Sequence, residues 1–259
     1  MITSKQNPKI KRVRALQAQR RARQAENVFV VEGVRLVEEA FASGWRAELV
    51  LHTPDLSARG RDAVEAFRAQ GVETEAVRDS VMKAASDTQA PQGILAVLAR
   101  KDLALPTPLD FLLLADGLSD PGNLGTLLRT AAAAGVQAVL LPPGATDPFA
   151  PKVIRAGMGA HFQLPILQLT WESIQDKLSG LEVFLAAAEG EQAYGQADFR
   201  TPLALIIGSE AHGPSPQARR LTSSQVYIPM PGGGESLNAA AAASILIFEV
   251  VRQRSKHQG

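Results

Sequence analysis

Apolar and polar positions follow two regimes along the chain, and each predicts its own architecture. Between residues 28 and 99 short β-rich runs (NVFVVE, AELVLH, ETEAV, GILAVLA) alternate with stretches of helical period (GVRLVEEAFASG, RGRDAVEAFRAQG). That alternation predicts a small α/β domain of about 70 residues. In the following KDLALPTPLD, Pro106 and Pro108 forbid a continuous helix, which marks a linker over 101–109. From Phe111 onward the runs FLLLAD, AVLLP, LEVFLAAA, LALIIGS and QVYIPM are nearly all apolar, with LGTLLRTAAAAG, ESIQDKLSG and an Ala-rich terminal helix between or after them. Strands apolar on both sides must be covered on both faces, so a parallel sheet between helices is expected. The expected organisation is a domain over 1–100, the linker, and a second α/β domain over 110–259. In such sheets ligands bind beyond the carboxyl ends of the strands.

Composition narrows the function classes. A chain of 259 residues with 46% apolar content is long enough for two domains with real cores. Cysteine is absent, which excludes a disulfide framework, a thiol nucleophile and Cys-ligated zinc, and no metal site is expected. No apolar run reaches membrane-spanning length, and the polar, basic N-terminus carries no secretory pattern, so a cytoplasmic protein is expected. Net charge is only +1, yet Lys5, Lys9, Lys11, Arg12, Arg14, Arg20, Arg21 and Arg23 all precede the first acid, Glu26. The remaining residues hold 19 basic and 26 acidic groups, a balance of −7. Such a basic arm suits a polyphosphate partner, or else is a solvated helix.

Three segments at the ends of apolar runs carry candidate chemistry. After FLLLA comes Asp116 to Arg129, where Pro121 and Gly122 read as a turn, Asn123 as the cap of the next helix, and Arg129 as a charged residue inside an apolar helix. A guanidinium there either meets an anion such as a phosphodiester or snorkels from the helix flank. After LALII, Gly208 ends a strand and Gly213 with Pro214 opens the next helix, displaying Glu210 between them. His212 in that loop reads as a surface histidine, since no nucleophile or orienting acid pairs with it. After QVYIPM, the glycines 232–234 allow close backbone approach to a ligand, Ser236 reads as a helix cap, and Asn238 opens a helix of small residues. Neither a dinucleotide fingerprint nor a P-loop motif occurs.

The set N-x-G-x-x-x-R (Asn123, Gly125, Arg129), G-x-E-x-x-G (Gly208, Glu210, Gly213) and I-P-M followed by S-L-N (Ile228, Pro229, Met230, Ser236, Leu237, Asn238) resembles the three motifs of the SpoU/TrmH RNA 2′-O-ribose methyltransferases, in the SPOUT superfamily. The resemblance covers about residues 110 to 254. Residues around FVVEGVRLVEEA and the basic leader resemble the family's small L30e-like substrate-binding domain. Where many relatives have Gly after the motif-two Glu and Leu after its last Gly, this chain has Ala211 and Pro214.

The resemblance implies S-adenosylmethionine as cofactor, bound in a deep trefoil knot tied from the three C-terminal segments. It implies cofactor contacts from Ala187, Ala188, Gly208, Ile228, Met230 and Leu237, and catalytic or orienting roles for Arg129, Asn123, Glu210, Ser236 and Asn238. RNA contacts are expected from Lys5, Lys9, Lys11, Arg12, Arg14 and Arg35. It further implies a homodimer whose site is completed across the interface, and ribosomal RNA, 23S above tRNA, as substrate. Two other readings remain open on the sequence: a noncatalytic RNA-binding or ribosome-assembly factor of the same fold, and a different α/β enzyme using a nucleotide. Methyl transfer separates the first from the methyltransferase; binding of S-adenosylmethionine separates the second.

Overall fold

The computed structural model describes residues 1–209, 212–234 and 236–255. The chain divides into two compact units, Met1–Asp102 with Phe149–Phe162, and Leu103–Pro148 with Gln163–Gly259. Among the described residues no helix is long and apolar enough to cross a membrane.

The first unit begins with the basic stretch, folded as helices α1 (Pro8–Ala18) and α2 (Arg20–Glu26). Asn7 caps α1 by accepting from the Lys9 amide at 2.9 Å, and Pro8 occupies the first turn, where its missing N–H has no intrahelical partner to lose. The chain breaks at Gln19, and the buried Arg23 side chain turns back to donate to the carbonyls of Leu16 and Gln17 that α1 leaves open. Then follow β1 (Val28–Glu32), α3 (Val34–Ala42), β2 (Ala47–His52), α4 (Ala58–Ala69), β3 (Glu73–Ala76), α5 (Asp79–Ala85) and β4 (Ile94–Ala99). The sheet order is β1-β4-β2-β3, with β4 antiparallel to both neighbours and β2 parallel to β3. Because β side chains alternate between faces, Val28 and Val30 join a core completed by Ile10, Val13 and Leu16 of α1 and by Val81, Met82 and Ala85 of α5. Phe29 points the other way, into an aromatic cluster.

The second unit contains β5 (Phe111–Ala115), α6 (Pro121–Ala133) and β6 (Ala138–Leu141). The chain then returns to the first unit for α7 (Pro151–Gly157). Aromatic rings account for that return: Phe149 lies 5.1 Å from Phe29, Phe162 lies 5.7 Å from Trp45, and the Trp45 indole donates to the Phe162 carbonyl at 3.3 Å. Back in the second unit come β7 (Ile166–Gln168), α8 (Trp171–Leu178), β8 (Glu182–Ala186), β9 (Gln192–Ala193), β10 (Leu203–Ile207), α9 (Pro216–Leu221), β11 (Ser224–Tyr227) and α10 (Ala239–Ser255). All seven strands are parallel, in the order β7-β6-β5-β10-β8-β11-β9. Leu112, Leu114, Leu140, Leu185 and Ile206 meet Ile174 and Leu178 of α8 and Ala218 of α9 on one face. On the other, α6 packs against α10, which lies on β10. The expected two-sided parallel sheet is what forms.

Several expected boundaries move. The run QVYIPM leaves the sheet after Tyr227, before Pro229, which has no N–H for a ladder, and LEVFLAAA leaves it after Ala186. The three-residue β7 was too short, beside Pro165, to register as a strand.

Candidate active site

Strands β10, β8 and β11 are adjacent and parallel, so the segments that follow them emerge side by side at one edge of the sheet. After β8, the Ala187 amide donates to the Val226 carbonyl at 3.0 Å and the Glu191 amide to that of Gln225 at 3.0 Å, which folds 187–191 along β11. A Cβ on Gly190 would stand 2.6 Å from the Val226 carbonyl carbon, so only glycine allows this approach. After β10, Ser209 and Gly213 exchange amide–carbonyl bonds of 2.9 and 3.1 Å, closing a tight loop. A Cβ on Gly208 would lie 2.6 Å from the Pro214 nitrogen, the second enforced glycine. After β11, the Gly233 amide donates to the Met230 carbonyl at 3.0 Å, making a turn of the Gly-rich bend.

The first motif sits on α6. Asp120, not Asn123, is the helix cap: its Oδ1 accepts from the Asn123 amide at 2.9 Å, with Pro121 next in the first turn. Asn123 is thereby the third residue of α6 rather than its cap. Its Oδ1 accepts from Asn238 Nδ2 at 2.9 Å. The third motif is corrected in the same way. Asn238, not Ser236, caps α10, its Oδ1 accepting from the amides of Ala240 and Ala241 at 2.9 and 3.2 Å. Those two donors fix which side-chain atom of Asn238 is oxygen, and so which nitrogen reaches Asn123. Likewise Ser215 caps α9 and Pro216 opens it, whereas Pro214 packs against Gly208 outside the helix.

Arg129 is exposed on α6 between buried Leu128 and half-buried Thr130, and makes no ion pair among the described residues. Ser236 and Leu237 are exposed, Ile228 and Met230 half-buried, Ala187 half-buried and Ala188 exposed. Glu210 lies outside the described residues. One residue that sequence reasoning passed over is Asp116, buried just after β5, whose Oδ2 accepts from the Ser215 amide at 2.6 Å. An acid directly after a wholly apolar strand was the available signal.

The basic helix divides by partner. Lys9 bridges Glu73 and Glu75 at 2.6 and 2.5 Å, and Arg12 bridges Glu26 and Glu48 at 2.6 and 2.5 Å. The hydrogen bonds Lys9 donates to Glu73 and then Glu75 push its pKa up, and Lys9 in turn pulls Glu75 down. Lys5, Lys11, Arg14 and Arg35 are exposed, as are Arg78 and Lys83 at either side of α5's first turn.

Residues 110–248 match the SpoU rRNA Methylase family, and residues 7–96 match the MRM3-like substrate binding domain. The chain belongs to the SpoU family. It is 33% identical over 251 residues to the 23S rRNA (guanosine(2553)-2′-O)-methyltransferase RlmP of Bacillus subtilis (strain 168), covering 96% of this chain and 98% of the relative. The AdoMet-bound SpoU methyltransferase AviRb from Streptomyces viridochromogenes superposes with a TM-score of 0.88 at 30% identity, over 96% of this chain and 99% of that one. An AdoMet-bound rRNA methyltransferase from Sinorhizobium meliloti superposes with a TM-score of 0.87 at 28% identity, over 97% of each. As a SpoU protein, the chain is an S-adenosylmethionine-dependent RNA 2′-O-methyltransferase. Its own residues leave room for that cofactor: in the Gly-rich bend after β11 a Cβ on Gly232 or Gly233 would meet nothing within 4 Å.

Proposed function

We propose that this SpoU enzyme methylates ribose 2′-hydroxyls of ribosomal RNA, with 23S rRNA its substrate in preference to tRNA, and that the edge formed by β10, β8 and β11 is its active site. The observation that carries the site is the Asn123–Asn238 bond, which ties the first motif to the third across 115 residues of chain. The rRNA substrate is supported by RlmP, whose match runs through both units. A cytoplasmic location is part of the same reading and follows that bacterial relative.

The cofactor contacts in this reading come from Ala187, Ala188, Gly208, Ile228, Met230 and Leu237. Bound S-adenosylmethionine supplies a methyl group on a sulfonium, already activated for displacement. The protein's part is positioning. Arg129 holds the acceptor phosphate and stabilises charge developing on the ribose oxygen; a guanidinium stays protonated, so it acts as cation and donor. Asn123 and Asn238 brace each other and the two helix starts, while Glu210 and Ser236 orient the ribose. The three segments following β8, β10 and β11 are the proposed place of the trefoil knot.

A homodimer belongs to the same proposal. Its support is a stripe on α10, where Ala241, Ile245 and Phe248 recur at helical spacing, with Ile245 and Phe248 36% and 48% exposed and Leu237 40% exposed ahead of them. On α6, exposed Thr126, Arg129 and Ala133 form a second stripe, so a partner covering both helices would meet Arg129. In this reading Arg129 serves a cofactor held by the partner subunit. Arg129→Ala should abolish methyl transfer while S-adenosylmethionine binding, followed by calorimetry, stays within a fewfold of wild type. An active variant would remove Arg129 from the mechanism.

A further inference from the structure

Asp116, the residue directly after β5, carries a buried carboxylate, at 5% exposure. A buried charge is costly unless it is hydrogen-bonded, so its partner identifies its work. Among the described residues its partner is the Ser215 amide, 2.6 Å from Oδ2 and 99 residues away in sequence. Ser215 is the exit of the loop that follows β10 and the cap of α9, its Oγ accepting from Ala218 at 3.2 Å. The loop's entry is held as well: the Asp116 amide donates to the Ile207 carbonyl at 2.8 Å, just before Gly208. Asp116 therefore grips both ends of the 208–215 loop, one through its backbone and one through its side chain. Between those points the loop is closed on itself by the Ser209–Gly213 pair and by the approach of Pro214 to Gly208. Asp116 also starts the connection into α6, which carries Asn123 and Arg129.

We infer that Asp116 is a positioning residue for methyl transfer, a latch that sets the loop after β10 in register with the helix bearing Arg129. Its backbone grip is common to any residue at that place in a parallel ladder; only the side-chain grip is specific to an acceptor. The loop edge would lie at the cofactor, so the latch controls where Gly208 stands relative to the rest of the site. This rests on the active-site reading above, but its structural half is measured without any RNA.

The test compares Asp116→Ala and Asp116→Asn, the amide oxygen of the latter being able to accept from Ser215. In the protein without ligand, hydrogen exchange at the amides of 208, 209, 213 and 215 should quicken in Asp116→Ala while the β5 and β10 amides keep their protection. S-adenosylmethionine affinity should fall, and kcat on 23S rRNA at saturating cofactor should drop about tenfold or more, since small misplacements of reacting groups are costly. Asp116→Asn should recover most of both. Unchanged loop exchange in Asp116→Ala, or an Asp116→Asn enzyme as impaired as Asp116→Ala with its loop still protected, would overturn the latch. Should Asp116→Ala unfold, Asp116→Asn decides alone: retained loop protection and activity support the latch, and loss of either sinks it. A wild type inactive on rRNA contradicts the substrate proposal and leaves the exchange and cofactor results to judge Asp116.

Discussion

Asn238 spends its two side-chain atoms on different tasks: the oxygen caps α10 and the nitrogen reaches Asn123. The two tasks separate by mutation. Asn238→Asp keeps an oxygen for the cap and loses the donor, so thermal stability should hold while methyl transfer falls; Asn238→Ala loses both and should also cost about 1 kcal/mol of stability. Thermal unfolding paired with an activity assay checks this, and equal activity in Asn238→Asp would mean the Asn123 bond is idle. The motif residues were legible because their spacing is a pattern in the chain. Their local roles were not, since Asp120 and Asn123, or Ser236 and Asn238, are all acceptable caps by type. Pro121 was the deciding mark for α6, favouring the first helical position and so placing the cap at Asp120; the start of α10 carries no such proline.

At the scale of elements, α1 shows why a charge run cannot be read by counting. Its positive charge is legible in the sequence, but Glu48, Glu73 and Glu75, which engage Arg12 and Lys9, come from strands far along the chain. Its buried stripe of Ile10, Val13 and Leu16 makes it part of the core rather than a detachable arm. Removing residues 1–25 would therefore take core with it, and point changes are the proper test. Lys11→Gln with Arg14→Gln should weaken RNA binding and lower the slope of log K against log salt by about 1.5, close to two phosphate contacts. Lys9→Gln with Arg12→Gln should leave the slope nearly unchanged and lower the melting temperature instead. Equal slopes for both pairs would count against α1 as an RNA contact. The strands were the most legible elements, because near-continuous apolar runs need covering on both faces. β7 escaped because three residues carry no period.

For the whole molecule, sequence order and spatial unit part company at Phe149–Phe162, which joins the first unit although it lies between β6 and β7 of the second. No hydrophobic period announces this; it depends on Phe149 and Phe162 finding Phe29 and Trp45, over a hundred residues earlier. A fragment of residues 1–102 would lack both rings and leave Phe29 and Trp45 uncovered. It should bind a hydrophobic dye and resist proteolysis less well than the same unit in the full chain; a fragment as resistant and dye-free as the full chain would contradict the aromatic account.

The central claim, that this SpoU enzyme methylates ribosomal RNA at ribose, is met most directly by mapping ribose methylation at nucleotide resolution in 23S rRNA and tRNA from cells with and without the gene. The account predicts the loss of one 2′-O-methyl site in 23S rRNA, restored by the wild-type gene and not by its Arg129→Ala form. Loss of a tRNA site with the 23S pattern intact, or restoration by Arg129→Ala, would contradict it.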